Sequence, residues 1–383
     1  MTRRLVIITE IISPYRLPLF NVLSEQKGVD LHVIFLAETD PTLRQWKVYK
    51  QEIRFSYEVL PSWRMRIAGY NVLLNRGLRQ ALQAANPDAI LCGGYNYLGS
   101  WQALWWARKR SVPFFLWSES NLQDIRRRRA VVELLKHEFF RQCRGFVVPG
   151  RSAAEYLLSH KIEGKAIFTA VNAVDNDLFA SEAAAARGKA EQLRRDLGLP
   201  SRYFLFVGRL VREKGVFELL SAYSKLGEEI REHIGLIFVG DGPCREELER
   251  RAASIVPGLI KFVGFTQREQ LAAYYGLAEV LILPTYSDPW GLVVNEAMAC
   301  GLPVIVSNVA GCVPDLVTED WNGKTVKPKD VESLRSAMLS VTSCRKESLL
   351  TGANSSKRIA EYSPRIWCEG ISGMLKSLGE ARE

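Results

Sequence analysis

No stretch of this 383-residue chain is apolar for long enough to cross a membrane as a helix, because Gly, Pro or a charge breaks every hydrophobic run within about ten residues. Histidine is scarce, at four, and dispersed without an H-x-x-x-H pair. The seven cysteines (Cys92, Cys143, Cys244, Cys300, Cys312, Cys344 and Cys368) contain no C-x-x-C and never come closer than twelve positions. A zinc site and a disulfide framework are thereby excluded, and free thiols point to a reducing cytoplasm. The basic start "MTRRLVIITE" is interrupted at Glu10 and no small-residue cleavage site follows, so Leu5 to Thr9 is expected to be a first strand and not a leader. That strand is followed by "EIISPYR", with no G-x-G-x-x-G, and the later "VGDGPC" lacks the third glycine; both argue against a dinucleotide oxidoreductase.

What is present is the composition of a folded soluble protein, 47% hydrophobic and 24% charged, in a chain too long for one ordinary core. The net charge of +9 is unevenly shared. Residues 1–200 hold 29 Lys and Arg against 19 Asp and Glu, whereas residues 201–383 hold 22 against 23. The densest basic parts are "RRRR" (Arg126 to Arg129) and "WQALWWARKR", in which Trp101, Trp105 and Trp106 run into Arg108, Lys109 and Arg110. Two readings stand side by side: an anionic membrane surface or phosphate-bearing ligand on one hand, a core aromatic stripe with a solvated flank on the other. No nucleic-acid-binding module is recognisable, so nucleic acid is not an expected partner.

Short apolar runs alternate with helical patterns throughout: "LVIIT", "LHVIFL", "DAILC", "PFFLW", "GFVVP" and "AIFTAV", then "YFLFVG", "GLIFVG", "LIKFVG", "VLILP" and "PVIVS". Such runs predict parallel strands covered on both faces, in two doubly wound halves. The expected domains are residues 1–198 and 199–363, divided at the small, charged stretch Ser181 to Arg202. A final amphipathic helix, 364–383, would use Ile366, Trp367, Ile371, Met374 and Leu375 to pack back on the first domain.

In open parallel sheets ligands sit at the carboxyl ends of strands, which directs attention to the loops. Gly208 follows "FV" directly and lets the backbone approach a ligand, while Arg209 and Lys214 bracket a loop that leads into a helix. Two cations beside a helix start suit a diphosphate. In "SDPWGLVVNEAMACGLPV", Asp288 lies on a turn and Glu296 lies one and a half turns into the next helix. Two carboxylates so placed can hold hydroxyl groups at opposite ends of one ligand whose phosphates rest on the helix N-terminus. "DND" (Asp175 to Asp177) resembles a metal-binding D-x-D but reads as a loop or helix cap.

The chain resembles glycosyltransferase family 4, retaining enzymes of the GT-B fold. The signature E-x-F-G-L-x-x-x-E-A-M-A-x-G-x-P-V is matched by "DPWGLVVNEAMACGLPV", with "GRLVREKG" and "GDGP" in the expected order. Weaker likeness lies in "SPYRLPLFNVLSE" and "NAVDNDLF". The resemblance implies α/β architecture: two doubly wound parallel-sheet, Rossmann-like domains facing across a cleft, acceptor on the first and nucleotide sugar on the second. It implies a metal-independent hexosyltransferase without cofactor, taking UDP-sugar ahead of GDP-mannose. The acceptor would be a glycan, lipid-linked or small molecule, in cell-surface polysaccharide synthesis. Arg209 and Lys214 would grip the diphosphate, aided by amides at Gly291, Leu292 and Val293. Glu296 would take the ribose, Asp288 the hexose, and the stretch near Phe265 the base. The family has Glu where Asp288 stands, a Gly-Gly loop after the first strand, and a His where Ser118 and Glu119 fall. Arg16 and Glu119 are the candidates for a cleft role on the acceptor side, and Gly94, after the third strand, for a loop that holds the acceptor or the donor sugar. The expected location is cytoplasmic, peripheral at the inner face of the plasma membrane. The alternative on the same fold is a sugar-nucleotide epimerase, a hydrolase, or a non-catalytic binding subunit.

Overall fold

The computed structural model describes residues 2–40, 45–67, 70–123, 130–255, 259–342 and 345–380. Arg126 to Arg129 and Cys344 lie outside them. The chain forms two compact units, residues 1–174 with 364–383, and residues 175–363.

The first unit is built on a seven-stranded parallel sheet: β1 (Arg3–Thr9), β2 (Val29–Phe35), β3 (Ser56–Val59), β6 (Ala89–Gly93), β7 (Phe114–Trp117), β8 (Gly145–Val148) and β9 (Ile167–Thr169), in the order β3-β2-β1-β6-β7-β8-β9. The hairpin β4 (Ser62–Ile67) and β5 (Tyr70–Asn75) stands apart and is antiparallel. Runs such as "FFLW" are buried at every position because helices cover both faces of the sheet. On one face, helices Leu17–Ser24 and Pro364–Glu380 pack together. Trp367 is fully buried there, its ring 5.4 Å from that of Trp117, and Arg3 donates to the Leu375 carbonyl. On the other face lie helices Leu98–Lys109, Ala130–Gln142 and Arg151–Ser159, sharing one core cluster.

The second unit has a six-stranded parallel sheet: β10 (Tyr203–Val207), β11 (Gly235–Val239), β12 (Ile260–Gly264), β13 (Val280–Leu283), β14 (Val304–Ser307) and β15 (Gly323–Val326), in the order β12-β11-β10-β13-β14-β15. Neighbours β10 and β13 mark the point where the winding reverses, the crevice that doubly wound sheets offer to ligands.

The boundary between units falls at Val174/Asp175, so the expected division near residue 199 is corrected. The stretch from Ser181 is no linker but parts of two helices, Asn176–Gly188 and Ala190–Leu197. Ala183 and Ala186 are buried where the first of these helices packs closely on helix Arg268–Leu277: a Cβ on Gly276 would lie 2.9 Å from the Ala183 carbonyl oxygen. Arg187 then ties the helix end to the carbonyls of Gly276 and Cys300. Asp175 accepts a hydrogen bond from the Leu178 amide at 3.0 Å and caps the helix, so the first Asp of "DND" serves as a cap.

Candidate active site

Three strands of the second unit end in glycines that no other residue replaces cheaply. Gly208 after β10 has φ +151° and Gly240 after β11 has φ +134°; a Cβ on Gly240 would stand 1.9 Å from the Gly208 carbonyl oxygen. The two turns are therefore in backbone contact, and Leu210 extends the pairing by donating to the Asp241 carbonyl. Gly264 closes β12, and Phe265 beyond it is exposed.

The loop after β10 carries Arg209, exposed and without an ion pair among the described residues, then one turn of 3-10 helix, Arg212–Lys214. Gly215 (φ +68°) starts helix Val216–Ser224 so close to the end of β13 that a Cβ would lie 2.1 Å from the Pro284 carbonyl oxygen. Around that approach the Glu213 carbonyl accepts from the Tyr286 amide (2.8 Å) and the Thr285 hydroxyl (3.0 Å). The β10 and β13 loops are thus locked at the reversal point.

This lock brings Lys214 to Asp288, 74 positions away: Nζ lies 2.5 Å from Oδ2, and both side chains are mostly buried. Asp288 Oδ1 accepts from the Trp290 amide (3.2 Å), its carbonyl accepts from Gly311 (3.0 Å), and the Trp290 indole is held by Asn295 (2.8 Å). Gly291, at φ +98°, turns the chain into helix Leu292–Ala299. The amides of Leu292 and Val293, in its first turn, have no acceptor within the helix. An ammonium, a carboxylate and free helix amides therefore stand on one carboxyl edge of the sheet, where an anion and a hydroxyl can be held side by side.

Glu296, about 6 Å along the helix from its start, accepts a hydrogen bond from the buried Tyr275 hydroxyl at 2.7 Å. Burial pushes its carboxyl up to about 7, against the pull of that hydrogen bond. A folded-state value above the ordinary 4.5 means the folded chain holds this proton more tightly than the unfolded chain. Its contribution to stability is then fully present below that ordinary value and is lost as pH rises to about 7. Thermal melts of Glu296→Gln should lack this component, so the melting temperature of the wild type falls relative to the variant between about pH 5 and pH 8. Parallel curves would contradict it. Tyr275→Phe removes the opposing bond and moves the wild-type midpoint upward.

In the first unit the structure pairs two residues the sequence singled out separately. Arg16 Nη2 lies 2.7 Å from Glu119 Oε1, and its guanidinium stacks 3.8 Å above the centre of the Trp117 ring. Burial opposes the Arg16 charge most strongly, but Glu119 and Tyr15 together outweigh it and raise the pKa. Arg16 occupies the N-cap position of its helix yet makes no capping bond with its side chain. Gly94, at φ +96° past β6, faces open space. Beside these, Glu10 at the end of β1 is bound by Arg64 of β4, which also reaches the buried Asp40. That cluster escaped the sequence reading because β4 was not recognised. Tyr275 escaped it too, since a tyrosine on a helix reads as core.

Glu133, His137 and His160 of this unit place ligand atoms within 4.8 Å of one another. The Lys136 ammonium already sits among them, 2.5 Å from Glu133 and 3.1 Å from His160, and disfavours a second cation.

Residues 189–364 match the family described as Glycosyl transferases group 1. An uncharacterized glycosyltransferase of Methanocaldococcus jannaschii is 35% identical over 144 residues, 37% of this chain and 36% of that protein. The sulfoquinovosyl transferase of Arabidopsis thaliana is 37% identical over 150 residues, 38% of this chain and 28% of that protein. The matched stretch thus spans about a third of these relatives. Among solved structures, Anabaena HepE in complex with UDP and glucose superposes with a TM-score of 0.74 at 15% identity, over 98% of this chain and 100% of that one. At that identity the likeness speaks for the fold, which is GT-B as expected. The match to the Glycosyl transferases group 1 is carried by the second unit, over residues 189–364.

Proposed function

We propose that the protein is a retaining glycosyltransferase that moves a hexose from a nucleoside diphosphate sugar to a hydroxyl of a glycan, lipid-linked or small acceptor, in the building of a surface polysaccharide or glycoconjugate. The observation that carries this reading is the Lys214–Asp288 pair beside the Gly291 helix start, at the reversal point of the sheet. A diphosphate placed there meets Lys214, Arg209 and the amides of Leu292 and Val293; Asp288 accepts from sugar hydroxyls and Glu296 from the ribose. The base would lie by Phe265. HepE, solved with UDP and glucose, supports a UDP-sugar as donor ahead of GDP-mannose.

In the reaction, the bond from the anomeric carbon to the diphosphate oxygen breaks as the acceptor oxygen bonds that carbon on the same face. The leaving phosphate takes the acceptor proton. Negative charge grows on the diphosphate, where fixed cations and helix amides act most strongly. That charge set stands in for a divalent metal, so transfer should persist in chelator. Arg16, Glu119 and Gly94 are assigned to the acceptor.

The test is a thermal-shift panel of nucleoside diphosphates and their sugars, followed by acceptor-dependent release of the nucleoside diphosphate. A ligand at 100 times its Kd adds about 2.7 kcal/mol to the folded state, which reads as a clear rise in melting temperature. No shift with any nucleotide would refute the donor site. Release without acceptor would point to a hydrolase, and an axial-to-equatorial change at the anomeric carbon would refute retention.

A further inference from the structure

Ten of the eleven large apolar side chains left exposed among the described residues belong to the first unit, and only Phe265 to the second. The first unit is also where the surplus of positive charge lies. Helix Ala130–Gln142 shows the pattern most sharply, because it is turned against its own composition. Lys136 is 4% exposed, held by Glu133 and by the Tyr156 hydroxyl at 3.0 Å, whereas Leu134 is 70% and Leu135 51% exposed. Phe139 and Phe140 hold that orientation from the buried side. A helix that removes an ammonium from water and leaves leucines in it has an outer face suited to something less polar than water.

The adjoining helix agrees. In Leu98–Lys109, Trp101 packs on Phe139 with ring centres 4.9 Å apart and Trp106 is buried under Arg110. The aromatic stripe is thus partly core, but Trp105 is 57% exposed and shares a helix face with the exposed Leu98. The helix ends in Arg108 and Lys109, followed by Arg110. A groove of about 420 Å³ beside helix Leu78–Ala85 brings Arg79, Lys109 and Arg110 around Trp105 and Trp106. Leu158, on the third helix of the same layer, is exposed as well.

We infer that this helical layer docks on an anionic lipid bilayer. Leu134, Leu135 and Trp105 enter the boundary between headgroups and acyl chains, and the groove takes lipid phosphate through Arg79, Lys109 and Arg110. Apolar side chains framed by cations match that surface on both counts. A second copy of the chain would bring like charge against like, and a nucleic acid has no use for exposed leucines.

Flotation of the full chain with phosphatidylcholine vesicles, with and without about 30 mol% phosphatidylglycerol, tests the proposal. The wild type should float with the anionic vesicles and lose binding in high salt. Leu134→Ser with Leu135→Ser should lower partitioning about 30-fold or more. Lys109→Glu with Arg110→Glu should lower it about 10-fold or more, most strongly at low salt. Circular dichroism melts verify that the variants fold, and nucleotide thermal shifts, read separately, leave the donor-site proposal to stand or fall by itself. Failure of the folded wild type to float, or equal flotation of wild type and leucine variant, overturns the inference. So does self-association abolished by the leucine changes without vesicle binding, which would make the face a contact between copies.

Discussion

Lys214→Ala lowers kcat/KM for donor turnover by about 100- to 1000-fold, with far-UV circular dichroism unchanged. The ammonium lies 2.5 Å from Asp288 and is the only mostly buried one of the two cations assigned to the diphosphate. Its removal does harm twice: the leaving group loses a fixed positive charge, and the diphosphate meets a carboxylate whose ammonium is gone. The second effect is separable. Lys214→Ala combined with Asp288→Asn should turn over donor faster than Lys214→Ala alone, because the repulsion goes with the charge, although hydroxyl recognition weakens. Arg209→Ala should act mainly through KM, since an exposed guanidinium contributes less in water than a buried ammonium does. Steady-state kinetics on the three variants decide the matter. Wild-type rates in Lys214→Ala would remove Lys214 from the site.

Gly215→Ala costs about 3–5 kcal/mol and lowers the melting temperature by about 10 °C, and it abolishes turnover in what remains folded. Two penalties combine. The residue sits at φ +68°, which an L side chain adopts only with strain, and the new methyl group would lie 2.1 Å from the Pro284 carbonyl oxygen, inside any van der Waals contact. Relief requires the β10 and β13 loops to part. Parting them withdraws the Glu213 carbonyl from Tyr286 and Thr285, and Lys214 from Asp288. Gly227→Ala makes the control, because a Cβ there meets nothing within 4 Å. Calorimetry of both variants should show a large shift for the first and a small one for the second; equal shifts would mean the loops give way easily.

Buried parallel strands were the most legible part of this chain. Every residue of "YFLFV" and "VLIL" is covered, so each run is apolar without alternation and stands out from its surroundings. The strands that escaped are those with an uncovered side: edge strand β3, "SYEV", is mostly exposed, and β15, "GKTV", is half-buried at its centre. The β4–β5 hairpin escaped because tryptophan and methionine alternate with arginines and stay exposed at Trp63 and Met65. The alanine-rich stretch after Ser181 was misread because small residues suit a linker and a close helix contact equally. At the site, Arg209, Lys214, Asp288 and Glu296 could be named from glycines, charges and spacing. The Lys214–Asp288 pair and the Tyr275–Glu296 bond could not, since each joins distant segments that only the doubly wound topology brings together.

The final helix bears on the order in which the molecule is made. The first unit takes its last segment, Pro364–Glu380, from beyond the whole of the second. Trp367, Ile371 and Met374 are fully buried in the core cluster that also holds Leu5 and Ile7 of β1 and Trp117 of β7. On a ribosome, where the chain emerges from its amino end, residues 175–363 can close their own core while the earlier-made unit still waits for its keystone. The half of the molecule synthesised first is therefore the half completed last, and it spends that interval with one flank of its sheet open to chaperones.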